Sequence, residues 1–251
     1  PKGRKLELTP SLASMWAKEH NIPVLEPTEI KSEEFANTLG KEWDLFIVAS
    51  YGKIIPRKIL DTPKHGTLNV HPSLLPKLRG ASPLQSSILE EIPVGSTHET
   101  GVSIMLIDEE VDHGPLVAQE KISLQNWPPK EGELERTLGK LGAHLLVKII
   151  PEWVNGSIVP APQDHDKATF TKKVTKESGH IDLSDDPERI YRKVRAYDVW
   201  PRAYFTTERN GKQIRVVVTD AKIENKIFVP LHVIPEGKKE MSYDDFLRGQ
   251  K

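Results

Sequence analysis

The feature that most constrains the fold is the alternation of short apolar runs with helical patterns over the first part of the chain. The clearest run is residues 45–49 (LFIVA), which has no polar interruption and is followed by Ser50-Tyr51-Gly52. Such a run is typical of a strand that is buried on both faces of a parallel sheet. Further strands are predicted at 67–70, 101–107 and 116–123. Strands interleaved with helices predict an α/β fold.

Three segments between these strands have the apolar spacing of helices. Residues 11–20 place Leu12, Met15 and Trp16 on one face, and residues 83–90 begin with a proline, which the first turn of a helix tolerates. Residues 133–153 predict a long amphipathic helix. Its buried stripe is expected to contain Leu134, Leu138, Leu141, Leu145 and Ile149.

The last third of the chain has a different pattern. A helix is predicted over 187–197, with Asp186 as its N-cap, and strands are predicted at 203–206, 214–218 and 227–229. Two prolines in the stretch 159–164 (VPAPQD) mark a seam, and the residues from 168 onward hold 17 Lys or Arg against 13 Asp or Glu. We therefore predict two domains, 1–160 and 168–251, the second a small β-rich unit resembling an incomplete barrel.

Composition excludes several classes of protein. Cysteine is absent, which rules out disulfide scaffolds, cysteine-based zinc sites and cysteine nucleophiles, and suits a reducing compartment such as the cytoplasm. No apolar run approaches the roughly 18 residues of a membrane span, so no membrane association is expected. Lys plus Arg number 35 and Asp plus Glu number 36, so any nucleic-acid contact must use a local basic patch.

The strongest chemical signal is the segment 68–76 (LNVHPSLLP). Side chains at i and i+2 of a strand point to the same face, so Asn69 and His71 project together. This end of a strand is where open α/β sheets bind ligands. An Asn amide can donate to a developing oxyanion and His can transfer a proton near neutral pH, which together form half of an acyl-transfer site. The alternative is that both are polar turn residues preceding Pro72.

A second signal is the acidic segment 107–115 (IDEEVDHGP), which joins two predicted strands. Asp112 stands before a His-Gly pair at a tight turn, where its carboxylate could orient His71 and raise the pKa of that imidazole. The alternative is a solvated acidic loop, which is the expected role of Asp108, Glu109 and Glu110. His113 is a weaker candidate base than His71, because it has no amide donor two residues before it.

Other common site signatures have no support. The Gly-x-Gly-x-x-Gly fingerprint of dinucleotide binding and the phosphate-binding P-loop are both absent from the sequence. His65 and His71 have no carboxylate at a metal-ligand spacing beside them, so we expect no metal.

Two motifs together resemble the formyltransferase family that uses 10-formyltetrahydrofolate. The first is 69–76 (NVHPSLLP) with 79–83 (RGASP), and the second is 100–105 (TGVSIM) with 111–114 (VDHG). Within this family the chain is similar to the enzymes whose acceptor is methionyl-initiator tRNA. That similarity lies in a basic segment at 1–10, in 195–201 (RAYDVWP) and in 235–241 (PEGKKEM).

The resemblance implies a Rossmann-like catalytic domain that lacks its first strand, helix and second strand, followed by a shortened, OB-like tRNA-binding domain. It implies formyl transfer from 10-formyltetrahydrofolate to methionyl-initiator tRNA for translation initiation, by a cytoplasmic monomer. The catalytic residues it implies are Asn69, His71 and Asp112. Folate is expected to contact Ser73, Leu74, Leu75 and Pro76, and tRNA is expected to contact Lys2, Arg4 and Lys5.

Two other functions remain open at this stage. One is formyl transfer to a small amine, such as glycinamide ribonucleotide or an amino sugar nucleotide, which would need neither the basic segment nor the tail domain. The other is a non-catalytic remnant that binds folate or RNA.

Overall fold

Two four-stranded sheets follow one another along the chain in the computed structural model, which describes residues 10–40, 42–209 and 211–249. The first sheet contains β1 (Phe46–Ala49), β2 (Thr67–His71), β3 (His98–Leu106) and β4 (Leu116–Leu124), in that spatial order. β1 and β2 are parallel, whereas β2 pairs antiparallel with β3, and β3 with β4. The predicted strands are confirmed, and the sheet is mixed.

Five helices accompany this sheet: α1 (Leu12–Glu19), α2 (Glu33–Leu39), α3 (Arg57–Leu60), α4 (Pro83–Leu89) and α5 (Glu131–Val154). Local chemistry fixes several of their ends. The hydroxyl groups of Ser11 and Ser32 accept hydrogen bonds from backbone N–H groups in the first turns of α1 and α2. Pro83 occupies the first turn of α4, where its missing N–H is not needed.

The predicted stripe of α5 forms the centre of the first core. Leu134, Leu138, Leu145 and Ile149 are buried against the sheet, while Leu141 is half-buried. Gly142 lets the helix approach closely, because a Cβ there would lie 2.8 Å from a methyl carbon of Val70. The helical period of the sequence thus determines which face of α5 packs on the sheet.

One expectation about the first strand is wrong. β1 alternates between half-buried and exposed positions instead of being buried on both faces, and Ile47 is 40% exposed. Among the strands that the described residues form, β1 is the outermost of its sheet, and an apolar cavity of about 330 Å³ lies beside it, lined in part by Phe35, Leu39 and Ile47. On α1 the apolar face is exposed, with Leu12 and Trp16 largely in solvent.

The second sheet is an antiparallel meander. It contains β5 (Tyr204–Arg209), β6 (Lys212–Glu224), β7 (Ile227–Pro235) and β8 (Met241–Ser242), and it is flanked by α6 (Pro187–Ala196) and α7 (Tyr243–Arg248). Asp186 caps α6 as predicted. β6 and β7 are joined by a two-residue turn at Asn225 and Lys226, both with positive φ, as tight hairpins favour. The α/β class with a small β-rich second unit is confirmed.

The two units are linked through α6. This helix packs against α4 of the first unit and against β6 and β7 of the second. Ala196 and Tyr197 belong to the first hydrophobic core, whereas Ile190 and Val194 belong to the second. The domain limits 1–160 and 168–251 stay a prediction. Residues beyond 160 contact the first unit, since Phe170 forms a bridge with Arg79.

Within the described ranges, no helix combines the length and apolar character needed to cross a membrane.

Candidate active site

Asn69 and His71 lie on one face at the carboxyl end of β2, as the strand period predicts. His71 is buried and Asn69 is half-buried. Both face Asp112, which follows β3: Asn69 Nδ2 donates to Asp112 Oδ1 over 3.3 Å, and His71 Nδ1 lies 3.5 Å from the same oxygen. The structure therefore brings together all three residues that the sequence selected as catalytic candidates.

Asp112 is held in a left-handed backbone conformation with φ of 50°. Its second carboxylate oxygen, Oδ2, accepts a 2.7 Å hydrogen bond from the backbone N–H of Gly80. Gly114, two residues later, packs so closely that an added Cβ would lie 1.9 Å from the carbonyl oxygen of Leu106. The turn is thus tightly packed, and its geometry orients the carboxylate toward β2.

The tautomer of His71 follows from its neighbours. Its Nε2 lies 3.0 Å from the carbonyl oxygen of Leu78, which can only accept, so Nε2 carries the proton. Burial lowers the pKa of His71 below its ordinary value, while the Asp112 carboxylate and the Leu78 carbonyl act in the opposite direction. The expectation that Asp112 raises the pKa of His71 is right for its own contribution and wrong for the net result, because desolvation is the larger effect.

The segment from Ser73 to Pro76, predicted to contact folate, is anchored to the strands beneath it. Leu75 N–H donates to Ser103 Oγ over 3.0 Å, and Ser103 Oγ donates to the Ser73 carbonyl over 2.7 Å. Gln119 Nε2 donates to the Leu75 carbonyl over 2.8 Å. Several backbone groups of the segment therefore already have partners, and the side chains of Leu74 and Pro76 are half-buried.

A buried network that the sequence interpretation missed supports the Asp112 turn. Arg79 Nε and Nη2 donate to Gln163 Oε1 over 3.1 and 2.6 Å. Gln163 Nε2 donates to the carbonyl oxygens of Asp112 and Gly114 over 2.9 and 2.7 Å. The available signal was Pro160-Ala161-Pro162 before Gln163, which fixes an extended segment but was interpreted as a domain seam.

The remaining candidates lie outside this centre or outside the described residues. His113 Nδ1 lies 2.7 Å from Asp108 Oδ2, and its ring stacks on His165 at 4.1 Å, so His113 is engaged away from Asn69. Glu109 and Glu110 are exposed, as expected for a solvated loop, whereas Asp108 is half-buried because its carboxylate pairs with His113. Lys2, Arg4 and Lys5 fall outside the residues that the structure describes. Within the described ranges, no cluster of three or more potential metal ligands is found.

The arrangement suits acyl transfer. An amide donor, an imidazole and a carboxylate converge within hydrogen-bonding reach at a strand end. The amide can stabilise a developing oxyanion, and the imidazole–carboxylate pair can move a proton.

Comparisons with known proteins identify the family of the chain. The model of the family described as formyl transferase matches residues 1–150, and that of the formyl transferase C-terminal domain matches residues 173–228. A methionyl-tRNA formyltransferase from Chloroflexus aurantiacus is 42% identical over 220 residues, which cover 86% of this chain and 68% of that protein. Another, from Geobacillus thermodenitrificans, is 35% identical over 274 residues, covering 99% of this chain and 83% of that protein.

Among solved structures, HypX from Aquifex aeolicus in complex with tetrahydrofolic acid has the same fold. The TM-score is 0.63 at 19% identity, and the match covers 81% of this chain and 38% of that chain. From the family matches and the curated relatives, the chain belongs to the formyl transferase family, in its methionyl-tRNA formyltransferase branch.

Proposed function

We propose that the chain transfers a formyl group from 10-formyltetrahydrofolate to the α-amino group of methionyl-initiator tRNA. The observation that carries the proposal is the convergence of Asn69 and His71 on Asp112 at the end of β2. Two further findings support it: curated relatives that match most of the chain are methionyl-tRNA formyltransferases, and a protein of the same fold binds tetrahydrofolic acid.

Asn69 is assigned to the oxyanion. The neutral amine attacks the formyl carbon, a C–N bond forms, and the formyl oxygen becomes an oxyanion in a tetrahedral intermediate. One N–H of the Asn69 amide is bonded to Asp112, and the other is the donor we assign to that oxyanion. The contact with Asp112 fixes the rotamer of the amide before the substrates arrive.

His71 and Asp112 are assigned to the proton. The attacking amine must lose a proton, and the departing nitrogen of the donor must gain one when its bond to the formyl carbon breaks. Burial lowers the pKa of His71 and so favours the neutral imidazole, and we assign the proton that it delivers to the reaction itself. We propose that Asp112 accepts the amine proton and passes it across the 3.5 Å contact to His71, which protonates the leaving nitrogen.

Further residues are assigned to binding of the folate and the tRNA. Leu74 and Pro76 present half-buried side chains beside the proposed centre, and we assign them, with Ser73 and Leu75, to the folate pocket. The excess of basic residues after position 168 supports contact of the second unit with tRNA, together with Lys2, Arg4 and Lys5. Since this acceptor belongs to translation, we propose that the chain acts in the cytoplasm, and we further propose that it acts as a monomer.

The test is formyl transfer from 10-formyltetrahydrofolate to charged initiator methionyl-tRNA. We expect Asn69→Ala to lower kcat by about 10²–10³-fold, the usual effect of losing one oxyanion donor, with an unchanged circular dichroism spectrum. Asn37→Ala, which removes an exposed amide from α2, is the matched control and should keep full activity. Near-normal turnover by Asn69→Ala would contradict the assignment.

The salt dependence of the same reaction identifies the acceptor class. Apparent affinity for tRNA should fall by about 0.7–0.9 log unit per log unit of salt for each phosphate that the protein neutralises. A small neutral amine should show little dependence. Transfer to such an amine without transfer to tRNA would replace the proposed acceptor while leaving the site assignment in place.

A further inference from the structure

We infer that Gln163 is a positioning residue for the transfer reaction: supported by Arg79, it fixes the left-handed turn at Asp112 and so aims the carboxylate at Asn69 and His71. The inference rests on the proposed function, in which Asp112 moves the proton. Gln163 reaches this turn from a segment 51 residues further along the chain.

The contact is made to the backbone of the turn. Both N–H groups of the Gln163 amide are used, one on the carbonyl of Asp112 and one on the carbonyl of Gly114. These two carbonyls flank His113 and therefore define the turn that carries Asp112. The amide is buried, so its hydrogen bonds are not exchanged freely with water, and leaving either carbonyl unpaired would be costly.

Arg79 fixes which way the Gln163 amide points. A guanidinium can only donate, so the two nitrogen atoms that contact Gln163 require its oxygen at that end and its nitrogen at the other. Arg79 is itself 3% exposed, and its backbone N–H and carbonyl pair with Thr169 and Thr171. The orientation of the amide is thus set by a buried charge that is locked in place.

The same arginine lies beside the other anchor of Asp112. Gly80, the next residue, donates its N–H to Asp112 Oδ2. The loop after β2 therefore controls the carboxylate directly through Gly80 and the backbone of the turn indirectly through Arg79 and Gln163. Losing the Gln163 link should let the turn relax and should move the carboxylate relative to His71, without removing any group that we assign to the reaction.

The kinetic test replaces the donating NH2 group of the Gln163 amide with an oxygen, which can only accept. In Gln163→Glu, one carboxylate oxygen still accepts from Arg79, but the other faces two carbonyl oxygens and repels them. A displacement of about 1 Å in a reacting group typically costs about 10²-fold, so we expect kcat to fall by 10–100-fold with KM for the formyl donor within about threefold. Gln125→Glu makes the same chemical change at an exposed position that accepts from Thr97, and it should have no effect.

A double-mutant cycle separates positioning from general damage. If Gln163 acts through Asp112, Gln163→Glu should cause little further loss of kcat in an Asp112→Asn background. A loss of equal size in both backgrounds would overturn the inference, as would an unchanged kcat in the single variant.

A measurement that needs no activity distinguishes failure of the inference from failure of the proposed function. In Gln163→Met, whose side chain is neutral and similar in shape, the pKa of His71 is measured by NMR titration. The His71 resonance is identified as the one that disappears in the variant His71→Gln. Withdrawal of Asp112 removes the contribution that raises the pKa of His71, so this pKa should fall below the value in the unsubstituted chain. An unchanged His71 pKa would overturn the inference, whether or not the chain transfers formyl groups.

Discussion

Glu131 is expected to make the stability of the chain depend on pH across the neutral range. It is the first residue of α5, only 8% exposed, and lies where α4, α5 and the segment after α6 meet. The carboxylate oxygens of Glu131 accept hydrogen bonds from Gln85 Nε2 and from the backbone N–H of Val199. Burial is the main cause that raises its pKa to about 7, helped by the negative charges of Glu135 and Asp198.

The sign and size of this pH dependence follow from the difference in proton binding between the folded and the unfolded chain. A carboxyl group whose pKa is higher in the folded state holds an extra proton there, so its stabilising contribution is full below the unfolded pKa of 4.5 and is lost as pH rises to about 7. At about 1.36 kcal/mol per pKa unit, the free energy of unfolding should fall by about 2–3 kcal/mol between pH 5 and pH 8 from this group alone.

The assay compares the unsubstituted chain with Glu131→Gln by urea denaturation at several pH values. The amide imitates the neutral carboxyl, and Gln85 can rotate its own amide to accept from it, so the variant should match the unsubstituted chain at pH 5 and be the more stable of the two at pH 8. Glu152→Gln, an exposed change on the same helix, should leave the pH profile unaltered. A stability difference between the unsubstituted chain and Glu131→Gln that is the same at pH 5 and pH 8 would refute the reasoning.

Two further predictions concern packing. Gly114→Ala places a Cβ 1.9 Å from the Leu106 carbonyl oxygen, so the Asp112 turn must move, and we expect loss of formyl transfer and a lower Tm. Gly139→Ala meets open space in the interior of α5, so it should keep the activity and raise Tm slightly, because alanine favours the helix. Leu138→Ala removes a side chain that is 1% exposed and should cost about 2–5 kcal/mol in urea denaturation, and the same change at half-buried Leu141 should cost less. Retained activity in Gly114→Ala, or equal losses at the two leucines, would contradict these expectations.

Features that depend on neighbours a few residues apart could be predicted from the sequence. The two-residue period of a strand placed Asn69 and His71 on one face, and the helical period of α5 identified its buried stripe. Asp186 was recognisable as a cap, because its side chain bonds to a backbone group only three residues away. The motifs around Asn69 and Asp112 also indicated the family before the fold was known.

Features that depend on what packs around a residue required the tertiary structure. The apolar run of β1 indicated a strand but could not show that half-buried and exposed positions alternate along it in the part of the chain that the structure describes. The sign of the His71 pKa shift depends on burial, which no local pattern measures, and burial outweighs the nearby carboxylate.

The contacts that hold the residues of the site in place were also decided by the tertiary structure. Arg79 and Gln163 are 84 residues apart, and Asn69 and Asp112 are 43 apart, so their contacts depend on the whole path of the intervening chain. A sequence pattern fixes which groups a short segment presents, because the backbone period is local. Which distant groups they meet is decided by packing, since the burial of the complete core determines how the segments are brought together.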